Sequence, residues 1–189
     1  MVMRTISSLV ILAAACALAG CGSNGLAAKA MEATGLRKPP ELPDAQKPPR
    51  SVALHLHAAP KLNVDKRGQP IALAVRLYKL RQKDAFEQAP YSAFLNPQAE
   101  RDSLGPDLLE VREIMLVPGQ RYEVTEKLGR EAGYLAVVAL FQRPAEGRWR
   151  TAVPAADAER SGLTLGLHAC AMTVGGSSEA ATLSSVRCQ

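Results

Sequence analysis

Ser51-Val-Ala-Leu-His-Leu-His57 is the stretch on which the fold turns. Apolar Val52, Leu54 and Leu56 alternate with Ala53, His55 and His57, the period-two pattern of a half-buried strand. After thirteen further residues, Ile71-Ala-Leu-Ala-Val-Arg-Leu-Tyr-Lys-Leu80 repeats it, with Ile71, Leu73, Val75 and Leu77 on one apolar face. The residues between, Ala58–Pro70, include the turn and breaker residues Pro60, Asp65, Gly68 and Pro70. Neighbouring strands are ordinarily joined by about two to five residues, and longer ordered loops are usually functional. This loop is therefore marked as a candidate site.

Further along, the period changes. Gln82–Asn96 places Ala85, Phe86, Ala89 and Ala93 at helical spacing, and Pro90 divides the segment into two short turns. A short helical piece is expected near Leu104–Leu109, then a strand over Val111–Val117, a turn at Pro118-Gly119 and another strand beginning at Tyr122–Thr125. Gly133–Arg143 is the most continuously apolar run and reads as a central strand. Trp149–Pro154, Leu163–Val174 and Leu183–Cys188 complete the strands, with a Gly/Ser turn at Gly175–Ser178. Seven or eight short strands and one small helical insertion predict an all-β fold, an antiparallel two-sheet β-sandwich. Tyr78, Phe86, Phe94 and Phe141 are assigned to its core.

Working back to the N-terminus, Met1–Ile6 holds one charge, Arg4, and Leu9–Ala19 is almost wholly apolar and ends in small residues. This is the layout of a secretory signal peptide, and the apolar run is shorter than the roughly 18–20 residues a bilayer requires. Ordinary cleavage after Ala17-x-Ala19 and an uncleaved anchor are the alternatives to a third reading that fits better. Leu18-Ala19-Gly20-Cys21 resembles the bacterial lipoprotein box. The resemblance implies residues 1–20 as signal peptide, a diacylglycerated Cys21 thiol and an acylated new N-terminus. Gly22, in place of an acid, resembles lipoproteins exported to the outer membrane. Residues 21–50 then form a tether rich in proline (Pro39, Pro40, Pro43, Pro48, Pro49), extended and solvated, with a reach of at most about 90 Å. The domain is expected over 51–189.

Composition narrows the function. The formal net charge is +5 and aromatic residues make up 4% of the chain, with no basic block interleaved among them, so nucleic-acid binding is not expected. There is no Gly-x-Ser-x-Gly elbow, phosphate loop or His-Glu-x-x-His. His55, His57 and His168 form a conceivable metal set, but two solvent-facing histidines and one elsewhere is the plainer reading. Glu110 and Glu113 read as a solvated face. Neither an enzyme, a metal or cofactor, nor a small-molecule substrate is expected. Of four cysteines, Cys16 leaves with the signal and Cys21 takes the lipid. Cys170 and Cys188 remain, in a compartment where disulfides persist. Bridging them closes a loop of about 17 residues, a contribution of roughly 3 kcal/mol on the chain-entropy model.

The order and spacing of several elements carry a wider resemblance. They are Leu62-Asn63-x-Asp65, Gly68-x-Pro70, Val75-Arg76-Leu77-Tyr78-x-Leu80, Ala85-Phe86, Leu104-Gly105 and Leu116-x-Pro118-Gly119. With the lipoprotein box upstream, the chain resembles the TssJ (VasD/SciN) lipoprotein family of the type VI secretion system over roughly Val52–Arg143. Pro106 departs from the family pattern, and the terminal cysteine pair is an addition to it. The resemblance implies a transthyretin-like sandwich on the periplasmic face of the outer membrane. It implies binding to the periplasmic C-terminal domain of TssM, which works with TssL, so as to help assemble and anchor the trans-envelope complex. The family's contact loop corresponds here to Lys61, Leu62, Asn63, Val64, Asp65, Lys66, Arg67, Gly68 and Gln69. Lys61, Asp65, Lys66 and Arg67 would supply charge complementarity, while Leu62 and Val64 either anchor the partner or tuck into the loop's own core. One rival is a periplasmic lipoprotein that docks or inhibits cell-wall enzymes. The other is a hydrolase on the same sandwich, using His55, His57 and Arg76.

Overall fold

A computed structural model describes residues 42–43, 46–175 and 188. The signal peptide, Cys21, most of the tether and the expected strand before Cys188 lie outside the described residues.

Eight strands form two four-stranded sheets: β1 (Arg50–Ala58), β2 (Leu73–Leu80), β3 (Leu108–Leu116), β4 (Arg121–Leu128), β5 (Tyr134–Ala139), β6 (Arg150–Pro154), β7 (Leu163–Leu167) and β8 (Met172–Val174). Their orders are β4-β1-β7-β8 and β3-β2-β5-β6. The alternation that opened the sequence reading holds. Val52, Leu54 and Leu56 are completely buried and join Leu73, Val75 and Leu77 in one core. Burying each such side chain stabilises by about 1.5–3 kcal/mol. β5 is the central strand expected from its composition, lying between β2 and β6 with five of its six residues buried.

The expectation of purely antiparallel sheets is corrected at one pair: β7 runs parallel to β1. A helix that the sequence reading did not anticipate, Ala155–Ser161, accounts for it. β6 ends at the pole where β1 begins, and this helix carries the chain there from one sheet to the other. Gly162, with φ 69, closes the helix in a conformation that favours glycine. The chain then sets out beside β1 in the same direction, because a crossover permits what a hairpin forbids. The expected single strand Leu163–Val174 is also divided. A tight turn, in which His168 N donates to Ala171 O at 2.9 Å, separates β7 from β8.

Helices α1 (Asp84–Gln88) and α2 (Pro97–Leu104) and the 3-10 turn Tyr91–Leu95 form the insertion, divided at Pro90 as expected; the third helix, Ala155–Ser161, is α3. The helical piece expected near Leu104–Leu109 is a 3-10 turn, Gly105–Asp107, directly after α2, and β3 starts at Leu108 rather than Val111. Asn96 sets the start of α2: the side chain accepts from Gln98 N (2.8 Å) and Ala99 N (3.2 Å), with Pro97 in the first helical turn.

The insertion packs on the outer face of its sheet through aromatic rings. Tyr78, Phe86 and Phe94 meet pairwise at centroid distances of 5.5–5.9 Å, and Trp149 joins Phe94 at 5.5 Å and Tyr91 at 4.9 Å. Arg150 lies over Trp149, 4.5 Å from the ring centroid, and donates to the carbonyls of Phe86, Glu87 and Ala89 at the end of α1. The Tyr91 hydroxyl donates to Phe141 O at 2.5 Å, and burial raises its pKa to about 12.

Candidate functional site

The connection between β1 and β2 has no regular secondary structure, yet it is bonded along its length. Leu62 is fully buried in the core, and Ile71 N donates to its carbonyl at 3.1 Å, closing the neck of the loop. Asn63 follows with φ 44, the one non-glycine residue at positive φ among those described. Asparagine tolerates this region better than most residues. It is also buried, and both ends of its side chain are used. Nδ2 donates to Ala72 O at 2.8 Å, and Oδ1 accepts from Gln142 N at 2.8 Å. The backbone N–H groups of Asn63 and Val64 donate to His168 O and Ala169 O, each at 3.0 Å.

The tip is organised by Asp65. Its Oδ1 accepts from Arg67 N (2.7 Å) and Gln69 N (2.9 Å), its carbonyl accepts from Gly68 N (3.0 Å), and its own N–H donates to Gln69 O (2.9 Å). Gly68, at φ 76, makes the reversal possible. The hydrogen bond from Gln69, then that from Arg67, outweighs desolvation and holds the Asp65 carboxyl below its ordinary pKa.

Of the nine candidate loop residues, Leu62 and Asn63 are buried, and the Asp65 carboxylate is committed to the loop's own backbone. For Leu62 the choice between anchor and core falls to core. Lys61, Lys66, Arg67, Gly68 and Gln69 face outward, and Val64 is half-buried.

Three other segments share this pole. The turn after β3 is joined to the end of β1 by Ala58 N to Gln120 O (2.9 Å) and Gly119 N to Ala59 O (3.2 Å). The loop after β5 supplies Gln142. The β7–β8 turn carries Cys170, which is bridged to Cys188 with a Cα–Cα distance of 5.5 Å, as the cysteine count predicts. The disulfide thus lies directly beside the backbone that grips Asn63 and Val64. The pinning role of Asn63, with Gln142, His168 and Ala169 as its partners, is not evident from the sequence. Asparagine's tolerance of left-handed backbone was the one local signal.

The residues of the hydrolase reading are not brought together. His55 faces outward from one sheet, its Nδ1 3.6 Å from Glu123. Arg76 lies on the outer side of the other sheet, 2.7 Å from Glu100 and 2.8 Å from Glu113. His168 contacts Thr173 Oγ1 at 3.1 Å, and burial lowers its pKa. Glu113 pairs with Arg76 while Glu110 pairs with Lys79 at 2.6 Å, so those carboxylates serve cross-strand bridges. Among the described residues no group of three His, Cys, Asp or Glu is placed to hold a metal.

The fold class is thus a two-sheet β-sandwich whose described polar side chains secure its own backbone and which presents an ordered loop at one pole. The comparisons specify the family. Residues 50–170 match the family model described as type VI secretion lipoprotein, VasD, EvfM, TssJ, and the chain belongs to that family, whose members are structural secretion lipoproteins rather than enzymes. The type VI lipoprotein TssJ1 from Pseudomonas aeruginosa is 32% identical, with a TM-score of 0.59 over 67% of this chain and 95% of that one. The fold recurs at lower identity in Serratia marcescens Lip, a membrane-bound component of the type VI secretion system (20%, TM-score 0.61, 68% and 98% coverage). It recurs also in a structure described as the type VI membrane complex (22%, TM-score 0.60, 66% and 97% coverage). No curated protein sequence matches significantly.

Proposed function

We propose that this lipoprotein is held to the periplasmic face of the outer membrane by lipid on Cys21. There it binds the periplasmic domain of TssM, in a complex that includes TssL, and anchors the trans-envelope assembly. The loop of residues 61–69 makes the contact. The observation that carries this reading is the loop itself: long, bonded throughout, and directing Lys61, Lys66 and Arg67 outward. A preordered loop loses little entropy on binding. Family membership and the recurrence of the fold in a structure described as a type VI membrane complex support the same reading.

Co-purification of TssM from detergent-solubilised membranes, with wild type and Cys21→Ser compared, tests it. Wild type should retain TssM. The Cys21→Ser protein should fold, leave the membrane fraction and fail to support secretion. A Cys21→Ser protein still acylated and membrane-bound would remove the anchor, and a wild-type pull-down without TssM would remove the partner.

A further inference from the structure

Most cationic side chains among the described residues have an ion-pair or hydrogen-bond partner, and several at one end have none. At the pole where the tether enters β1, Arg50 and Arg130 both approach Glu159 (3.4 and 3.6 Å), Arg81 approaches Glu131 (3.5 Å) and Lys83 approaches Glu87 (2.9 Å). Along the sheets, Arg76, Lys79 and Arg112 each have a carboxylate within 2.8 Å, while Lys127 donates to Ser51 Oγ and Arg150 to backbone carbonyls.

At the loop pole the rule stops. Lys61, Lys66 and Arg121 are exposed, and none of their side chains makes an ion pair or hydrogen bond among the described residues. Arg121 belongs with the loop because it sits opposite His57 in the β1–β4 register, one step from the start of the connection. Arg67 lies 3.6 Å from Asp65, but that carboxylate already accepts two backbone N–H groups, and the Arg67 side chain is 85% exposed. Among the described residues, Glu146 is the remaining acid on the loops of this end. Beside these cations, Met115 and Val117 at the end of β3 are 57% and 54% exposed. Cations left without acids, next to apolar side chains left without cover, form a surface complementary to a partner of opposite charge.

Anionic head groups and an acidic protein surface both match in sign. The direction of β1 favours the protein. The tether joins at Arg50 and the loop departs after Ala58. Nine residues at about 3.3 Å each place the cations about 30 Å from that attachment, at the opposite end of β1. Rigidity argues the same way: Asn63 and Asp65 hold the loop in one geometry, which a fluid lipid surface does not require.

We infer that this pole docks against a carboxylate-rich protein surface, with acidic groups engaging Lys61, Lys66 and Arg121 while Met115 and Val117 meet apolar side chains. The inference rests on the loop reading proposed above and adds the chemistry of the face that the loop meets.

The test titrates the full-length lipoprotein in detergent with the TssM periplasmic domain over a range of salt concentrations. Affinity should fall as salt rises. The triple variant Lys61→Glu, Lys66→Glu, Arg121→Glu should lower the association rate about 10–100-fold, with a smaller change in dissociation and an unchanged melting curve. Binding that ignores both salt and the triple variant, yet disappears when residues 64–69 are replaced by Gly/Ser, would overturn the inference and leave the loop reading standing. Wild-type protein that does not bind at all would remove both. In a parallel arm, unacylated Cys21→Ser protein is floated with phosphatidylglycerol–phosphatidylethanolamine vesicles. Vesicle binding lost in the triple variant, with TssM binding intact, would assign the cations to lipid instead.

Discussion

Two long connections leave the sheets of this sandwich, and they are ordered by opposite means. The insertion after β2 turns its aromatic side chains inward, stacking Phe86 and Phe94 on Tyr78 and Trp149. The loop before β2 has one buried apolar anchor, Leu62, and is otherwise set by two polar side chains acting on backbone. The difference teaches how a segment remains available for binding while staying ordered. A connection that buries its side chains gains stability and loses display. One fixed by a buried Asn and a capping Asp keeps the rest of its side chains outward.

The largest expected effect falls on the aromatic side. Phe94→Ala removes a fully buried ring from the centre of the cluster and should lower unfolding free energy by about 3–5 kcal/mol in denaturant titrations. Partner affinity of the folded fraction should stay near wild type; a matching loss of affinity would erase the division between the two connections. Asn63→Ala should cost about 1–3 kcal/mol, because Ala72 O and Gln142 N lose their partner, and should weaken partner binding by more than its effect on stability explains. Asn63→Gly, which retains access to positive φ, separates backbone from side chain: equal defects in the two variants would assign the effect to the hydrogen bonds.

The smallest effect belongs to the tip. The folded-state pKa of Asp65 is depressed below its ordinary value of 3.8. Its contribution is therefore complete above that ordinary value and lost as pH falls through the depressed one. Protection of the Arg67 and Gln69 amides in hydrogen exchange should persist down to the ordinary carboxyl value of 3.8 and decline below it. Asp65→Asn should flatten that pH dependence with little change in global melting. Protection of these two amides that does not change with pH in wild type would show that the carboxylate does not hold the tip.

What the sequence revealed, and what it hid, follows from the range of the interactions. The alternation of Val52, Leu54 and Leu56 reports a local period, and the structure reproduces it. The Cys170–Cys188 bridge came from counting, and the length of the connection marked the loop. Asn63 was opaque because its partner Gln142 lies 79 positions away and its other clamp is the β7–β8 turn. The parallel pairing of β1 with β7 was hidden for the same reason, since the helix Ala155–Ser161 that permits it carries only two buried alanines and leaves a weak pattern. Leu62 was undecided because an apolar residue in a loop looks the same from sequence whether it faces the core or a partner.

The disulfide beside the loop has a consequence in time as well as in space. Until Cys170 and Cys188 are joined, the turn that grips Asn63 and Val64 lacks its covalent staple. Such bonds form where thiols oxidise and are rare where glutathione keeps them reduced. On the proposed function, completion of the loop pole is thereby deferred from synthesis to arrival, and the oxidising compartment acts as the last folding factor.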